Sequence, residues 1–147
     1  MRLSSDLREF LELLNSRGVE YVIVGAHSLA FHGRPRYTGD LDILVRATPE
    51  NAGKLVDLLN QFGFADSAFR ASHFTESEQM IELGRAPNRI DLLTSITGVS
   101  TDEAFNSRVA ADLDGIPVFI LSKDALIRNK RAVGRAQDLA DLESLEE

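Results

Sequence analysis

Two short apolar runs with chemistry at their ends constrain this chain most. Tyr21 to Val24 leads directly into Gly25-Ala26-His27-Ser28, and Leu41 to Val45 carries the aspartates of Asp40-Leu41-Asp42. Runs of this length and character read as buried strands. Residues two apart on a strand point to the same face, so Asp40 and Asp42 project side by side. Adjacent carboxylates repel one another and require a counter-charge. A hard divalent cation supplies it: Mg2+, with Mn2+ as the alternative, takes oxygen ligands and keeps waters that a substrate phosphate can replace. The turn after Val24 presents backbone N–H groups at a helix start, which suits a phosphate. Gly25 and Ala26 are therefore expected to cradle phosphate, with Ser28 as a source of a hydroxyl. A phosphate cradle beside a metal clamp is the chemistry of nucleotidyl transfer.

Composition narrows the alternatives. With 147 residues, the chain is expected to form a single domain over 1–147, long enough for a substantial core. Cysteine is absent, which excludes disulfides, thiolate metal sites and a cysteine nucleophile. Histidine occurs only at 27, 32 and 73, too few to favour a histidine zinc site. His27 is expected to cap or pack, and His32 to hydrogen-bond within the core. No run of about 18 apolar residues is present, so no membrane span is expected. Met1 to Phe10 is charged and polar, without the pattern of a signal peptide, so a cytoplasmic location is the default expectation.

The net charge is −7. An acidic body is a poor binder of long duplex nucleic acid, which is held by neutralising its phosphates. The basic residues are grouped, however. Arg34 and Arg36 precede the aspartates, and Arg128, Lys130, Arg131 and Arg135 cluster near the end. Local basic sites on an acidic body suit a phosphorylated small molecule or a nucleic-acid end. Arg36, closer to the aspartates than Arg34, is the better candidate for a substrate contact.

Periodicity and punctuation give the element order. Leu7, Phe10, Leu11 and Leu14 fall at helical spacing after Ser4 or Ser5 as cap. Val19 to Val24 forms a strand, Ala26 to His32 a short helix, and Leu41 to Val45 a second strand. Thr48-Pro49 opens a helix to about Phe62. Gln79 to Leu83 and Arg89 to Leu93 flank a five-residue loop and read as a hairpin. A helix from Thr101 to about Arg108 follows, then the turn Asp114-Gly115 and a strand from Ile116 to Leu121. Ser122 starts a helix through Lys130 or Arg131, Gly134 interrupts it, and Ala136 to Leu145 closes the chain. The expected fold is α/β (α+β): a mixed sheet of about four or five strands, with helices mainly on one face and a helical pair at the C-terminus.

If Arg89 to Leu93 pairs beside the strand of Leu41, Asp91 lies level with Asp40 and Asp42. Three carboxylates then converge, as metal ligands and as a base toward an attacking hydroxyl. With these residues in place, the chain resembles the DNA polymerase β-like nucleotidyltransferase superfamily. That superfamily's pattern is a glycine turn, then Asp-x-Asp, then a distant third Asp. In particular it looks like small bacterial proteins related to toxin-type nucleotidyltransferases of abortive-infection systems. Their signature is matched by Gly25-Ala26-His27-Ser28 and His32-Gly33-Arg34-Pro35-Arg36-Tyr37-Thr38-Gly39-Asp40-Leu41-Asp42. The tail from Lys130 through Gly134-Arg135-Ala136-Gln137-Asp138 to Leu142 is also similar. The resemblance implies a nucleotide site of Gly25, Ala26, Ser28, Arg36, Thr38 and Lys130. It implies metal and catalytic roles for Asp40, Asp42 and Asp91, with Asp138 competing with Asp91 as the third carboxylate. Ala26 departs from the family's second Gly or Ser and brings no hydroxyl to a phosphate.

The expected activity is Mg2+-dependent transfer of a nucleoside monophosphate from an NTP to a hydroxyl, with release of pyrophosphate. The acceptor is a tRNA end, a protein side chain or a small molecule. Only 122–147 follows the last expected strand, so the acceptor pocket comes from those helices, from a second copy in a homodimer, or from a partner protein. The competing reading is a non-catalytic binding module, or a toxin–antitoxin component acting through its partner. A phosphohydrolase fits the glycine turn and the arginine spacing less well.

Overall fold

A computed structural model describes residues 3–33, 40–64, 69–85 and 88–146. The chain runs α1 (Ser5–Ser16), β1 (Tyr21–Val24), α2 (Gly25–His32), β2 (Leu41–Val45) and α3 (Pro49–Leu59). A π-helical turn (Asn60–Phe64) and a 3-10 turn (Ala71–Phe74) follow, then β3 (Met80–Leu83), β4 (Ile90–Leu93), α4 (Thr101–Asn106), β5 (Val109–Leu113) and β6 (Ile116–Ile120). Two helices, α5 (Lys123–Val133) and α6 (Ala136–Glu146), complete it. Most starts follow the expected chemistry. Ser4, Thr48 and Ser122 each accept a backbone N–H from the first turn of their helices. Ser100 caps α4 in place of Thr101, and that helix ends at Asn106, before Arg108. Gly134 stops α5 in the left-handed conformation, as expected of a glycine past a helix end.

The sheet has six strands in the order β3-β4-β2-β1-β6-β5. It is mixed: β1 runs antiparallel to β2 and parallel to β6, while β2 runs parallel to β4. The expected hairpin is present as β3–β4. The additional strand is β5, paired along its length with β6 across Asp114-Gly115. Its sequence, Val-Ala-Ala-Asp-Leu, has little β-propensity of its own, and pairing with β6 decides its state.

Helices cover both faces of the sheet, not mainly one. Tyr21, Ile23, Leu41, Ile43, Val45, Ile90 and Leu92 point into a core with Leu7, Phe10, Leu11 and Leu14 of α1 and Leu55, Leu58 and Leu59 of α3. Val22, Val24 and Leu44 point the other way, against Leu29 of α2, Phe105 of α4, Leu126 of α5 and Leu145 of α6. The central strands are thus buried on both sides, which explains their near-continuous apolar runs. Asp40, Asp42 and Asp91 alternate onto the α2–α5–α6 face, with Leu44 and Leu93.

One buried polar residue fixes the far ends of β1 and β2. Asn51, in the first turn of α3, accepts from Glu20 N at 2.7 Å and donates to Glu20 O and Arg46 O at 3.0 Å each. It is 2% exposed, so water does not replace these bonds. Asn51→Ala is expected to cost about 2–3 kcal/mol, the penalty for leaving buried backbone groups unpaired. A denaturant titration measures it, and an unchanged midpoint would show that the strand ends are held by packing alone.

Candidate active site

The parallel pairing of β2 with β4 sets Asp42 directly opposite Asp91. The antiparallel pairing of β1 with β2 sets Val24, and hence the turn at Gly25, opposite the same Asp42. Asp91 is 5% exposed. Burial and the neighbouring Asp91 push the Asp42 carboxyl up to about 7, with Arg89 pulling the other way and Asp40 adding to the rise. Near neutral pH the Asp42 carboxyl is therefore only partly ionised. A site that pushes like charges together in this way is poised to take a cation in the proton's place.

Gly25 is required where it stands. Its φ is +67°, and a Cβ there would lie 2.2 Å from Asp42 Oδ2. The helix α2 starts at this glycine. Its N-cap, Val24, contributes no side-chain hydrogen bond, so the first-turn N–H groups receive no oxygen from that cap. A helix start of this kind is able to take an anion. Ala26 lies in this first turn and offers only its backbone. Ser28 does not face the site: it is fully buried, and its hydroxyl donates to Gly25 O at 2.8 Å. His27 packs beneath the turn, 2% exposed, with burial holding its pKa below the ordinary value. His32 bonds Leu121 O at 2.6 Å through Nε2, tying α2 to the end of β6.

The opposite wall is built by α5 and α6. A cleft of about 240 Å3 is lined by Gly25, Asp42, Ser95, Thr97, Lys130 and Asp138, among others. Lys130 is buried and holds two carboxylates, Asp141 at 2.9 Å and Asp138 at 3.3 Å. Arg135 Nε reaches Asp138 at 2.7 Å, and the Arg135 guanidinium holds the Asp138 carboxyl down to about 2. Asp138 is therefore an ion-pair partner within the helical wall, whereas Asp91 lies level with Asp42. Of the two candidates for third carboxylate, the geometry favours Asp91. Arg36 and Thr38 lie outside the described residues.

The fold has known counterparts. The chain superposes on a protein of Thermotoga maritima assigned to the nucleotidyltransferases, with a TM-score of 0.61 and 19% identity, over 93% of this chain and 88% of that one. It superposes on the lincosamide antibiotic adenylyltransferase LnuA, in its lincomycin-bound form, with a TM-score of 0.63 and 16% identity, over 100% of this chain and 99% of the other. The antibiotic-resistance factor ANT(2'')-Ia gives 0.58 and 15%, over 97% and 80%. The chain has a nucleotidyltransferase fold. No protein-family model and no curated protein sequence matches it.

Sequence reasoning passed over one residue of this nucleotidyltransferase-fold site. Arg89 Nε and Nη2 fork the Asp91 carboxylate at 2.8 and 3.1 Å, and its backbone N–H donates to Asp40 Oδ1 at 3.1 Å. The signal was available: Arg89 stands two residues before Asp91, on the same strand face. Among the described residues no three His, Cys, Asp or Glu side chains form a ready metal-sized cluster, so the expected convergence of Asp40, Asp42 and Asp91 is not closed around a metal-sized space. The donor set nevertheless suits a hard cation, because Asp42 and Asp91 are opposed carboxylates of which one is already driven toward neutrality.

The raised Asp42 pKa has a definite sign for stability. Ionised Asp42 is disfavoured in the fold, so it costs nothing below pH about 4, where it is protonated in folded and unfolded chains alike. The cost grows as pH rises and is complete above about 7. Asp42→Asn is expected to stabilise the metal-free protein by roughly 1–3 kcal/mol at pH 8, with the gain vanishing near pH 4. Thermal melts across that range measure it, and a loss of stability at pH 8 would contradict the crowding of Asp42 against Asp91.

Proposed function

We propose that this protein is a divalent-metal-dependent nucleotidyltransferase that moves a nucleoside monophosphate from an NTP to a hydroxyl group and releases pyrophosphate. One observation carries the reading: the Asp42–Asp91 pair lies level with the glycine that begins α2. In that role Asp40 and Asp42, with Asp91, hold Mg2+ or Mn2+. The ion supplies neutralisation of the triphosphate and polarisation of the phosphorus to be attacked. The first-turn N–H groups at Gly25, Ala26 and His27 bind phosphate oxygens. Lys130, held by Asp138 and Asp141, lines the same cleft as a further phosphate contact. Arg36 and Thr38, outside the described residues, are nucleotide contacts on the sequence resemblance alone. Asp91 is the base toward the acceptor hydroxyl.

A small molecule is the acceptor this geometry favours over a tRNA end or a protein. A hollow of about 550 Å3 adjoins the cleft and shares Leu93, Ser95, Ile96 and Thr97 with it, the volume of a small-molecule pocket. The net charge of −7 disfavours a long polyanion. LnuA, matched over 99% of its length, is named as an antibiotic adenylyltransferase, so a chain of this extent suffices for a small acceptor.

The test is thermal stability with each of the four NTPs, with and without Mg2+, followed by pyrophosphate release. A nucleotide at about 100 times its Kd adds about 2.7 kcal/mol. At least one NTP is expected to raise the melting temperature only with Mg2+, and Asp42→Asn is expected to abolish that response. No response of the wild-type protein to any NTP would overturn the reading in favour of a non-catalytic module that acts through a partner.

A further inference from the structure

The carboxylate cluster carries its own cation. Arg89 lies between three acids. It holds Asp91 through two parallel bonds, its Nη2 lies 3.8 Å from Asp40 Oδ2, and its Nη1 lies 3.9 Å from Glu82 Oε2. Glu82 joins because β3 pairs with β4 at Glu82 opposite Asp91. A fork of this kind is the strong form of a charge-assisted hydrogen bond, and it engages both oxygens of Asp91.

We infer that Arg89 is a displaceable internal counter-ion, which competes with the divalent metal for Asp91 and thereby sets the metal concentration at which the site assembles. The inference rests on the nucleotidyltransferase reading above. Accessibility distinguishes the two partners. The Asp91 side chain is 7% exposed and fixed in the middle of β4, whereas the Arg89 side chain is 33% exposed and can swing toward solvent. The fork takes one lone pair on each Asp91 oxygen and sets a full positive charge beside them, so a cation arriving at Asp42 and Asp91 meets fewer free lone pairs and a like charge. The guanidinium therefore opposes filling of the site, and opening the fork relieves that opposition. An arginine that acted by charge alone would be matched by lysine, whereas the fork predicts a difference between wild type and Arg89→Lys.

The experiment titrates Mn2+ into the full chain and follows free Mn2+ by electron paramagnetic resonance, in wild type, Arg89→Gln, Arg89→Lys and Asp42→Asn. Arg89→Gln is expected to bind Mn2+ about tenfold more tightly than wild type. Arg89→Lys should fall between them, since an ammonium keeps the charge but loses the fork. Asp42→Asn should bind weakly or not at all. Melts give a second readout: Arg89→Gln should melt below wild type without metal, and saturating Mn2+ should close the gap. If Arg89→Gln does not fold, the intermediate affinity of Arg89→Lys carries the test. Equal or weaker binding by the folded Arg89 variants, with wild type binding normally, overturns this inference alone. No binding by wild type or by any Arg89 variant overturns the metal site itself, and the inference with it.

Discussion

The structure depends on forcing two carboxylates, Asp42 and Asp91, into register on adjacent parallel strands. Left alone, that pairing is unfavourable, since burial and repulsion push Asp42 up to about 7. What holds it is the opposite face of the same strands. Leu41, Ile43, Ile90 and Leu92 are almost fully buried against the α1–α3 layer, and slipping either strand by one residue would turn them away from it and drive Asp42 or Asp91 into that apolar core. Apolar burial on one face thus fixes an electrostatic conflict on the other. Asp42 costs stability that apolar burial elsewhere in the fold offsets.

The surroundings follow from that conflict. Gly25 lacks a side chain where Asp42 needs space, and the same glycine starts the helix whose N-terminus faces the cleft. Arg89 offsets the negative charge from the rim. Lys130 approaches from α5, neutralised by Asp138 and Asp141, so that its charge is anchored within the wall. Arg89 on one side, the Lys130 ion-pair network on another and the helix N–H groups on a third thus surround Asp42.

Much of this was legible in the sequence because short-range rules govern it. Period-two alternation places Asp40 and Asp42 on one face, and the glycine after a buried strand marks the turn. Caps at Ser4, Thr48 and Ser122 announce their helices. The failures lie where tertiary contacts override local preference. The strand at Val109–Leu113 is alanine-rich and owes its state to β6. Coverage of both sheet faces is decided by packing that no single segment records. Ser28 reads as a candidate hydroxyl by proximity to Gly25, yet helical geometry turns it inward onto the Gly25 carbonyl. Arg89 was overlooked because a strand-edge arginine ordinarily reads as solvated, and only the register of β4 brings it onto Asp40 and Asp91.

The most direct test of the central claim is an anomalous-scattering map of crystals grown with Mn2+ and a non-hydrolysable NTP analogue. The account predicts an anomalous peak within ligand distance of Asp42 and Asp91, the triphosphate at the N-terminus of α2, and Arg89 withdrawn from Asp91. Nucleotide bound elsewhere, or no peak at the aspartates with Arg89 still forked onto Asp91, would contradict it.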